Sequence, residues 1–409
     1  MRRRGLCAAG NLLLVVAAVV FFELALQVAS NWVSVVNDRT YPKRRSVIPD
    51  PVLGVRGDPD YPGHDARGFR NARALAQADI VALGDSHTYG GRIRRDEAWP
   101  ALLATALGQS VYSMSHGSYG ATHAAHNLDA ALALRPKKVL FGLYFGNDFF
   151  DDFEFAQRHG RLADHASPEV LRQIERLEAE STIADEVGVV FRRGRKSDRA
   201  KADSETWFDV GVDWLKRTSR VYGLFRNIHR TITSRDVSFP DDAVLTLVFE
   251  RSRDRLTPAQ RAFVSPYEGP DWKTIFTARY RFKVLDVSDP RIRLGYEITK
   301  ATLATMQQRL EREGIPFVVV FLPTKESVFG PRVAEPETHP RLAELVRTEA
   351  RLRGELKAFM EQRNIRYIDP VPDLERASPQ PYFSGIDGHP SGYGHRIIAA
   401  AVGRELARK

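Results

Sequence analysis

Short apolar runs alternate with amphipathic stretches in two separated parts of the chain. Apolar runs of roughly four to eight residues predict buried strands, and apolar positions three or four residues apart predict helices. The predicted strands cover residues 80–83, 111–114, 138–145, 317–322 and 366–369. The predicted helices cover about 97–107, 121–134, 291–313, 341–363 and 391–408.

This alternation of strands and helices predicts an α/β fold. Strands joined by helices run parallel through right-handed crossovers, so we expect a doubly wound sheet with helices on both faces. In such sheets, ligands bind beyond the carboxyl ends of the strands. The stretch between the two alternating parts is charged and irregular, with helical patches predicted at 168–182 and 212–233.

These patterns divide the chain into five parts. We expect a membrane anchor first, then an extended linker or strap, and then a catalytic core interrupted by a helical or irregular insertion. The boundaries follow the changes in pattern and composition: 1–36 for the anchor, 37–75 for the strap, 76–155 and 285–409 for the core, and 156–284 for the insertion.

The N-terminal segment has the character of a membrane-targeting sequence. Three arginines at positions 2–4 precede an apolar stretch from Leu6 to about Val36, which Glu23 interrupts. A bilayer-spanning helix needs about 20 apolar residues. One interpretation is an uncleaved transmembrane helix, with the catalytic part outside the cytoplasm, in the periplasm or at the cell surface. The alternative is a signal peptide cleaved near residues 28–30, where small residues permit cleavage.

Composition and charge limit the classes of binding partner that we expect. The chain has 60 Lys and Arg against 51 Asp and Glu, a net charge of +9, which favours anionic partners such as acidic glycans or a membrane surface. No nucleic-acid-binding module is recognisable, so nucleic acid is not expected. Its single cysteine, Cys7, excludes an intramolecular disulfide and a cysteine-based zinc site. A basic run at 192–201 is either a solvated loop or a contact for acidic glycans or headgroups.

Residues able to catalyse acyl transfer follow three of the predicted elements. Ser86 comes directly after the first strand, in a glycine-flanked turn, and Asn147 follows the third strand. His389 lies before the last helix, two residues after Asp387. A histidine can act as general base for a serine, and a carboxylate can fix its tautomer. The alternative for each position is a turn or helix-capping role.

Taken together, these motifs resemble those of the SGNH (GDSL) hydrolase superfamily. Ser86 matches the serine block, Asn147 the asparagine block and His389 the histidine block, and the resemblance covers about 76–155 and 285–409. It implies a flavodoxin-like three-layer sandwich. It also implies that Ser86 is the nucleophile, His389 its base and Asp387 the partner of the base, with the Ser86 N–H and the Asn147 amide stabilising an oxyanion.

The chain departs from the family pattern at two points. Ser118 stands where the second block has glycine, and its backbone N–H is expected to complete the oxyanion hole, with Gly117 or Gly120 as alternative equivalents. The last block is Asp-x-His, a spacing similar to that of the branch that acts on bacterial exopolysaccharides, the alginate O-acetylation type. Asp369 is the alternative partner for the histidine.

We therefore expect a serine esterase or O-acyltransferase that acts on O-acyl groups, chiefly acetyl, of envelope or secreted carbohydrate. A membrane protein that donates acyl groups is an expected partner. The alternative is an inactive glycan-binding or scaffold subunit of a polysaccharide synthesis or export complex.

The remaining polar residues are given other roles. No cofactor or metal is expected, since His116, His123 and His126 have no acidic residue that completes a recognisable ligand pattern. His87 and His116 are expected to line the cleft, and His395 to pack at the start of the last helix. Lys325 follows the fourth strand and is interpreted as an ion-pair partner of Glu326 or as a substrate contact.

Overall fold

The structure is a computed structural model that describes residues 2–32, 36, 46–61, 63–183, 214–216, 218–233, 242–269, 271–333 and 339–408. The basic run at 192–201 lies outside these residues. The chain divides into two compact units. The first unit is Met1–Ile48, Gly57–Gly68 and Arg195–Asp236, and the second is Pro49–Arg56, Phe69–Gly194 and Val237–Lys409.

The described elements are numbered here in chain order. The strands are β1 (Val47–Asp50), β2 (Gly54–Gly57), β3 (Ile80–Gly84), β4 (Val111–Ser115), β5 (Lys138–Tyr144), β6 (Ser265–Glu268), β7 (Lys273–Phe276), β8 (Phe317–Leu322) and β9 (Arg366–Ile368). The helices are α1 (Arg2–Trp32), α2 (Ser86–Tyr89), α3 (Trp99–Leu107), α4 (Ala121–His126), α5 (Leu128–Leu132), α6 (Asp148–Arg158), α7 (Pro168–Glu180), α8 (Arg220–Thr233), α9 (Asp242–Asp254), α10 (Pro258–Arg261), α11 (Ala278–Lys283), α12 (Pro290–Arg312), α13 (Lys325–Phe329), α14 (Pro340–Gln362), α15 (Val371–Glu375) and α16 (Gly392–Ala407).

In the first unit, the N-terminal segment forms the single helix α1. Among the described residues, no helix is long and apolar enough to cross a membrane, so the transmembrane helix expected from the sequence is not found. Glu23 lies within this helix. Its carboxylate accepts hydrogen bonds from the Ser219 hydroxyl at 2.7 Å and from the backbone N–H of Arg220 at 2.7 Å, at the start of α8.

The second unit is built on a five-stranded parallel sheet, which confirms the predicted α/β class. The strand order is β4-β3-β5-β8-β9, which is 2-1-3-4-5 when the strands are counted along the chain. The order reverses between β3 and β5, the place where ligands bind in sheets of this order. Because Ser86 follows β3 and Asn147 follows β5, the topology places both residues at this switch point.

Every residue of β3 and β8 is buried, as expected for a parallel sheet covered on both faces. Helix α3 packs against α16, and α6 packs against α12 and α4. One predicted helix is divided: the stretch 121–134 forms α4 and α5, which meet at Asn127.

The insertion contains both predicted and unpredicted elements. The helical patches at 168–182 and 212–233 correspond to α7 and α8. Strands β6 and β7 pair as an antiparallel hairpin that was not predicted. These strands are four residues each, too short for a clear alternating pattern.

The end of the predicted strap fastens the edge of the sheet. Asn71 exchanges two hydrogen bonds of 2.9 Å with the backbone of Ser113 and thereby occupies polar groups of the edge strand β4. Arg70 donates to the carbonyl oxygens of Gly90 at 2.8 Å and Ile93 at 2.7 Å. These contacts hold the loop that follows Ser86.

Candidate active site

A tight turn from β3 into α2 positions Ser86. Gly84, the last residue of β3, has φ 149°, and a Cβ there would lie 2.4 Å from the Thr88 hydroxyl, so the turn requires glycine. Asp85 caps α2, because its carboxylate accepts a 2.9 Å hydrogen bond from the His87 N–H. The turn therefore brings Ser86, as the first residue of a helix, to the carboxyl edge of the sheet.

The structure brings Ser86, His389 and Asp387 together although the serine lies about 300 residues away in sequence. The Ser86 hydroxyl lies 2.8 Å from Nε2 of His389, and Nδ1 of His389 lies 2.6 Å from Asp387 Oδ1. A carboxylate can only accept, so Nδ1 carries the proton and Nε2 is free to accept from the serine. This is the tautomer that a general base needs.

The Asp387 carboxylate is held in its charged form. Burial opposes ionisation, but the charge and hydrogen bonds of His389 and the charge of Arg92 outweigh it and hold the pKa of Asp387 well below its usual range. The Arg92 Nε lies 2.7 Å from the second carboxylate oxygen. Asp387 is thus a permanent acceptor for the imidazole.

The other two candidates for these roles have different partners. Asp369, the alternative orienting acid, lies 2.5 Å from Lys357 Nζ and accepts from the Val371 N–H at 3.1 Å. His395 is buried at the start of α16, where its Nδ1 accepts a 3.2 Å hydrogen bond from the Trp99 N–H. The structure therefore places neither of them with Ser86.

A second histidine ring supports the first. His87 is buried and stacks on His389, with ring centroids 4.5 Å apart, and on Tyr144 at 3.5 Å. Burial lowers the pKa of His87 to about 4 and outweighs the attraction of Asp85. At neutral pH the ring is uncharged, so it adds no positive charge beside the histidine that accepts the proton.

Two buried cations fasten the loop that carries Asp387 and His389. Lys325 Nζ donates to the carbonyl oxygens of Gly385 at 2.7 Å and Asp387 at 3.0 Å. The side chain of Lys325 thus holds the backbone of this loop, a contact that is not evident from the sequence. Arg281 donates to the Gly146 carbonyl at 2.9 Å, and a Cβ at Gly388 would lie 2.7 Å from its guanidinium, so the middle residue of Asp-x-His must be small.

Asn147 lies at the N-cap of α6, but its amide already has a partner. Its Nδ2 donates to the carboxyl group of Asp151, one turn further along the helix. An amide nitrogen carries two N–H groups, so this hydrogen bond uses one and orients the other. Burial, together with the charges of Glu154 and Asp85, raises the pKa of Asp151 well above its usual value.

Ser118 adopts the backbone conformation that glycine favours. Its φ is 63°, in the left-handed region that is uncommon for residues with a side chain. This agrees with its place at the glycine of the second block. Backbone held in such a conformation is often part of a functional site.

The described residues contain no cluster of three or more His, Cys, Asp or Glu side chains arranged to hold a metal ion. His123 is buried, and its ring stacks on Tyr119 with centroids 5.0 Å apart. Burial lowers the pKa of His123 to about 3.

Comparisons with known proteins give limited information. No protein-family model matches the chain, and no curated protein matches its sequence. Among solved structures, it is similar to a protein described as lipolytic, of the G-D-S-L family, from Desulfitobacterium hafniense DCB-2, with a TM-score of 0.35 and 12% identity over 80% of this chain and 97% of the other. It is also similar to TesA, with a TM-score of 0.32 and the same identity and coverage. At these scores the function has to be argued from the site itself.

Proposed function

We propose that the protein is a serine hydrolase of the SGNH type, which forms an acyl-enzyme on Ser86. One observation carries the proposal: a continuous line of hydrogen bonds runs from the Ser86 hydroxyl through His389 to Asp387, with distances of 2.8 and 2.6 Å. A nucleophile, its base and an orienting acid in this geometry form the constellation of serine acyl transfer.

The reaction proceeds in two halves. Ser86 Oγ attacks the ester carbonyl and gives its proton to Nε2 of His389, which forms a tetrahedral oxyanion. The oxyanion collapses, the alcohol leaves with the proton from His389, and the acyl group stays on Ser86. Water or a sugar hydroxyl then gives its proton to His389 and attacks the acyl-enzyme to form a second tetrahedral intermediate. This intermediate collapses, the acid or the acylated sugar leaves, and His389 returns the proton to Ser86 Oγ.

Three groups are assigned to the oxyanion. The backbone N–H of Ser86, the backbone N–H of Ser118 and the second N–H of the Asn147 amide are donors of the kind that stabilise a tetrahedral intermediate. The position of Ser86 and Asn147 at the switch point of the sheet supports this role. The left-handed backbone of Ser118 supports its inclusion.

The finer proposal concerns substrate, place and partner. We infer that the acyl group is acetyl and that it is carried by envelope or secreted carbohydrate outside the cytoplasm. With a membrane protein as acyl donor, the same acyl-enzyme would make the protein an O-acetyltransferase; with water as acceptor it is an esterase. The net charge of +9 favours association with an anionic membrane surface. The intact line from Ser86 to Asp387 favours an enzyme over an inactive binding subunit.

Hydrolysis of p-nitrophenyl acetate by purified wild-type protein and by Ser86→Ala tests the proposal. Losing the nucleophile of such a constellation typically lowers the rate by several orders of magnitude. Ser86 is partly exposed, so the variant should melt like the wild type. If the folded variant keeps more than about a tenth of the wild-type rate, Ser86 is not the nucleophile. A second measurement separates transferase from esterase. With an oligosaccharide added as acetyl acceptor, a transferase forms mainly acetylated sugar and an esterase forms mainly free acetate.

A further inference from the structure

A cleft of about 400 Å³ opens beside the oxyanion residues. Its walls are residues 53–55 of the β1–β2 segment, the loop 117–119 and the side of α6 that carries Asp151. Small-ligand sites have volumes of roughly 300–1,000 Å³, so this cleft is large enough for one. It adjoins the proposed active site because Ser118 lines it and because Asp151 accepts from the Asn147 amide.

The segment that covers the cleft is fastened to the core. The Tyr119 hydroxyl donates to the Val55 carbonyl at 2.9 Å, and His159 Nε2 lies 2.8 Å from the Val52 carbonyl. These contacts hold one wall of the cleft in place.

Polar side chains dominate the lining. Asp151, Glu154 and Arg158 of α6 line the cleft together with Ser118. His123 lines it too. Only 5% of this histidine is exposed, and its Nδ1 has no hydrogen-bond partner among the residues that the structure describes.

We propose that this cleft binds the sugar unit that carries, or receives, the acyl group. The inference rests on the proposed acyl-transfer chemistry, and it adds the residues that recognise the sugar. A sugar presents closely spaced hydroxyl groups, each of which donates and accepts a hydrogen bond. The lining offers a matching set: Arg158 donates, the carboxyl groups of Asp151 and Glu154 accept, and the Ser118 hydroxyl does both.

The same lining disfavours a long acyl chain. A hydrocarbon would cover lining carboxyl groups such as that of Glu154 without giving them a hydrogen-bond partner, which costs free energy that a sugar hydroxyl would recover. Burial raises the pKa of Glu154 and of Asp151 above their usual values. Leu53 and Val55 are the aliphatic side chains among the lining residues.

Direct binding tests the cleft without relying on catalysis. The Ser86→Ala protein, titrated calorimetrically with partially O-acetylated xylotetraose, should bind it. Adding Glu154→Leu should weaken the dissociation constant at least about ten-fold, whereas Glu169→Leu, at an exposed glutamate of α7, should leave it unchanged. If the tetrasaccharide does not bind, or binds equally well to both double variants after each is shown to melt normally, the sugar site is wrong.

A second pair of variants tests the same cleft without changing Glu154, so a folding defect at that position cannot explain the result. Arg158 is exposed, and Arg161, three residues further on, is also exposed and pairs with Asp164 outside the cleft. Arg158→Gln should weaken binding of the tetrasaccharide several-fold, and Arg161→Gln should not. Equal effects of the two substitutions would contradict the proposal.

Esters of different chain length identify the occupant. If the cleft instead held the acyl chain of the ester, replacing Glu154 by leucine would make the cleft more apolar and would strengthen binding of a long chain. A lower KM for p-nitrophenyl octanoate in Glu154→Leu, with tetrasaccharide binding unaffected, would show that the cleft holds the acyl chain and would overturn the sugar assignment. A third outcome separates the two proposals. If tetrasaccharide binding depends on Glu154 but the wild-type protein does not hydrolyse p-nitrophenyl acetate, the sugar site is supported and the proposed esterase chemistry is refuted.

Discussion

The pKa values of two aspartates near the carboxyl edge of the same sheet are shifted in opposite directions. Asp387 has the charges of His389 and Arg92 beside it, and its pKa is lowered. The pKa of Asp151 is raised by burial and by the negative charges of Glu154 and Asp85 nearby. Their side chains are both largely buried, so the difference comes from the sign of the neighbouring charges.

Asp387 and Asp151 therefore have different roles in the proposed mechanism. Asp387 stays ionised and can stabilise the imidazolium that forms when Ser86 gives up its proton. Burial shifts Asp151 towards its neutral form, and its hydrogen bond with Asn147 orients an amide while lessening the negative charge next to a developing oxyanion. A charged carboxylate at that position would oppose the transition state.

The largest effect is expected from Asp387→Asn. The amide cannot stabilise the imidazolium, and it can present an N–H to Nδ1, which favours the wrong tautomer. The turnover of p-nitrophenyl acetate should fall by roughly 10³–10⁴-fold. The control is Asp369→Asn, which removes the alternative orienting acid and should leave the rate within a few-fold. A larger loss from Asp369→Asn than from Asp387→Asn would reverse the assignment.

Asn147→Ala should have the next largest effect. Removing one oxyanion donor typically lowers turnover by about 10²–10³-fold. Ser86 should still be labelled by a fluorophosphonate, because its hydrogen bond to His389 is untouched. An unchanged turnover in a variant of unchanged thermal stability would mean that Asn147 is only the cap of α6.

Asp151→Asn, the isosteric counterpart of Asp387→Asn, should lower turnover only about ten-fold or less, since its oxygen can still accept from Asn147. Its main effect should be on stability. A carboxyl whose pKa is raised by folding contributes stability below its unfolded pKa, about 3.8, that is lost as the pH rises. The free energy of unfolding of Asp151→Asn, relative to wild type, should therefore grow with pH above about 4.

Urea unfolding at pH 4, 6 and 8 measures this difference. Asp164→Asn, at an exposed aspartate paired with Arg161, should show no such trend. If the relative stability of Asp151→Asn falls with pH, the group is ionised in the folded protein and the contrast with Asp387 disappears.

The smallest effect is expected from Lys325, the buried cation under the Asp387 loop. Burial lowers its pKa from 10.5 to about 8, so the unfolded chain binds more protons between these values. Its contribution to the free energy of unfolding should therefore rise with pH from about 8 to 10.5. Lys325→Met should abolish that rise, while Lys137→Met, at an exposed lysine, should keep it. Parallel pH profiles for Lys325→Met and wild type would contradict the buried charge.

Much of the carboxyl edge of the sheet could be predicted from the sequence, because local patterns of apolar and polar residues determine it. Apolar runs and the residues that follow them predicted the sheet and put Ser86 and Asn147 at its carboxyl edge. The hydrogen bond between Asn147 and Asp151 could have been anticipated from their four-residue spacing on a helix.

Other features depend on distant segments. Arg281 comes from the irregular insertion, and no pattern around it indicates that it reaches Gly146 and Gly388. The sequence shows that Lys325 follows a strand, but its carbonyl partners lie 60 and 62 residues further along the chain. For α1, the apolar composition suggested a membrane span. It did not indicate that Glu23 would cap another helix.

The most direct test of the central claim is the site at which a fluorophosphonate probe attaches. Wild-type protein, labelled at neutral pH and mapped by peptide mass spectrometry, should carry the probe on Ser86, and His389→Ala should be labelled far more slowly. A probe on a different residue, or no label on folded protein that hydrolyses p-nitrophenyl acetate, would contradict Ser86 as the nucleophile.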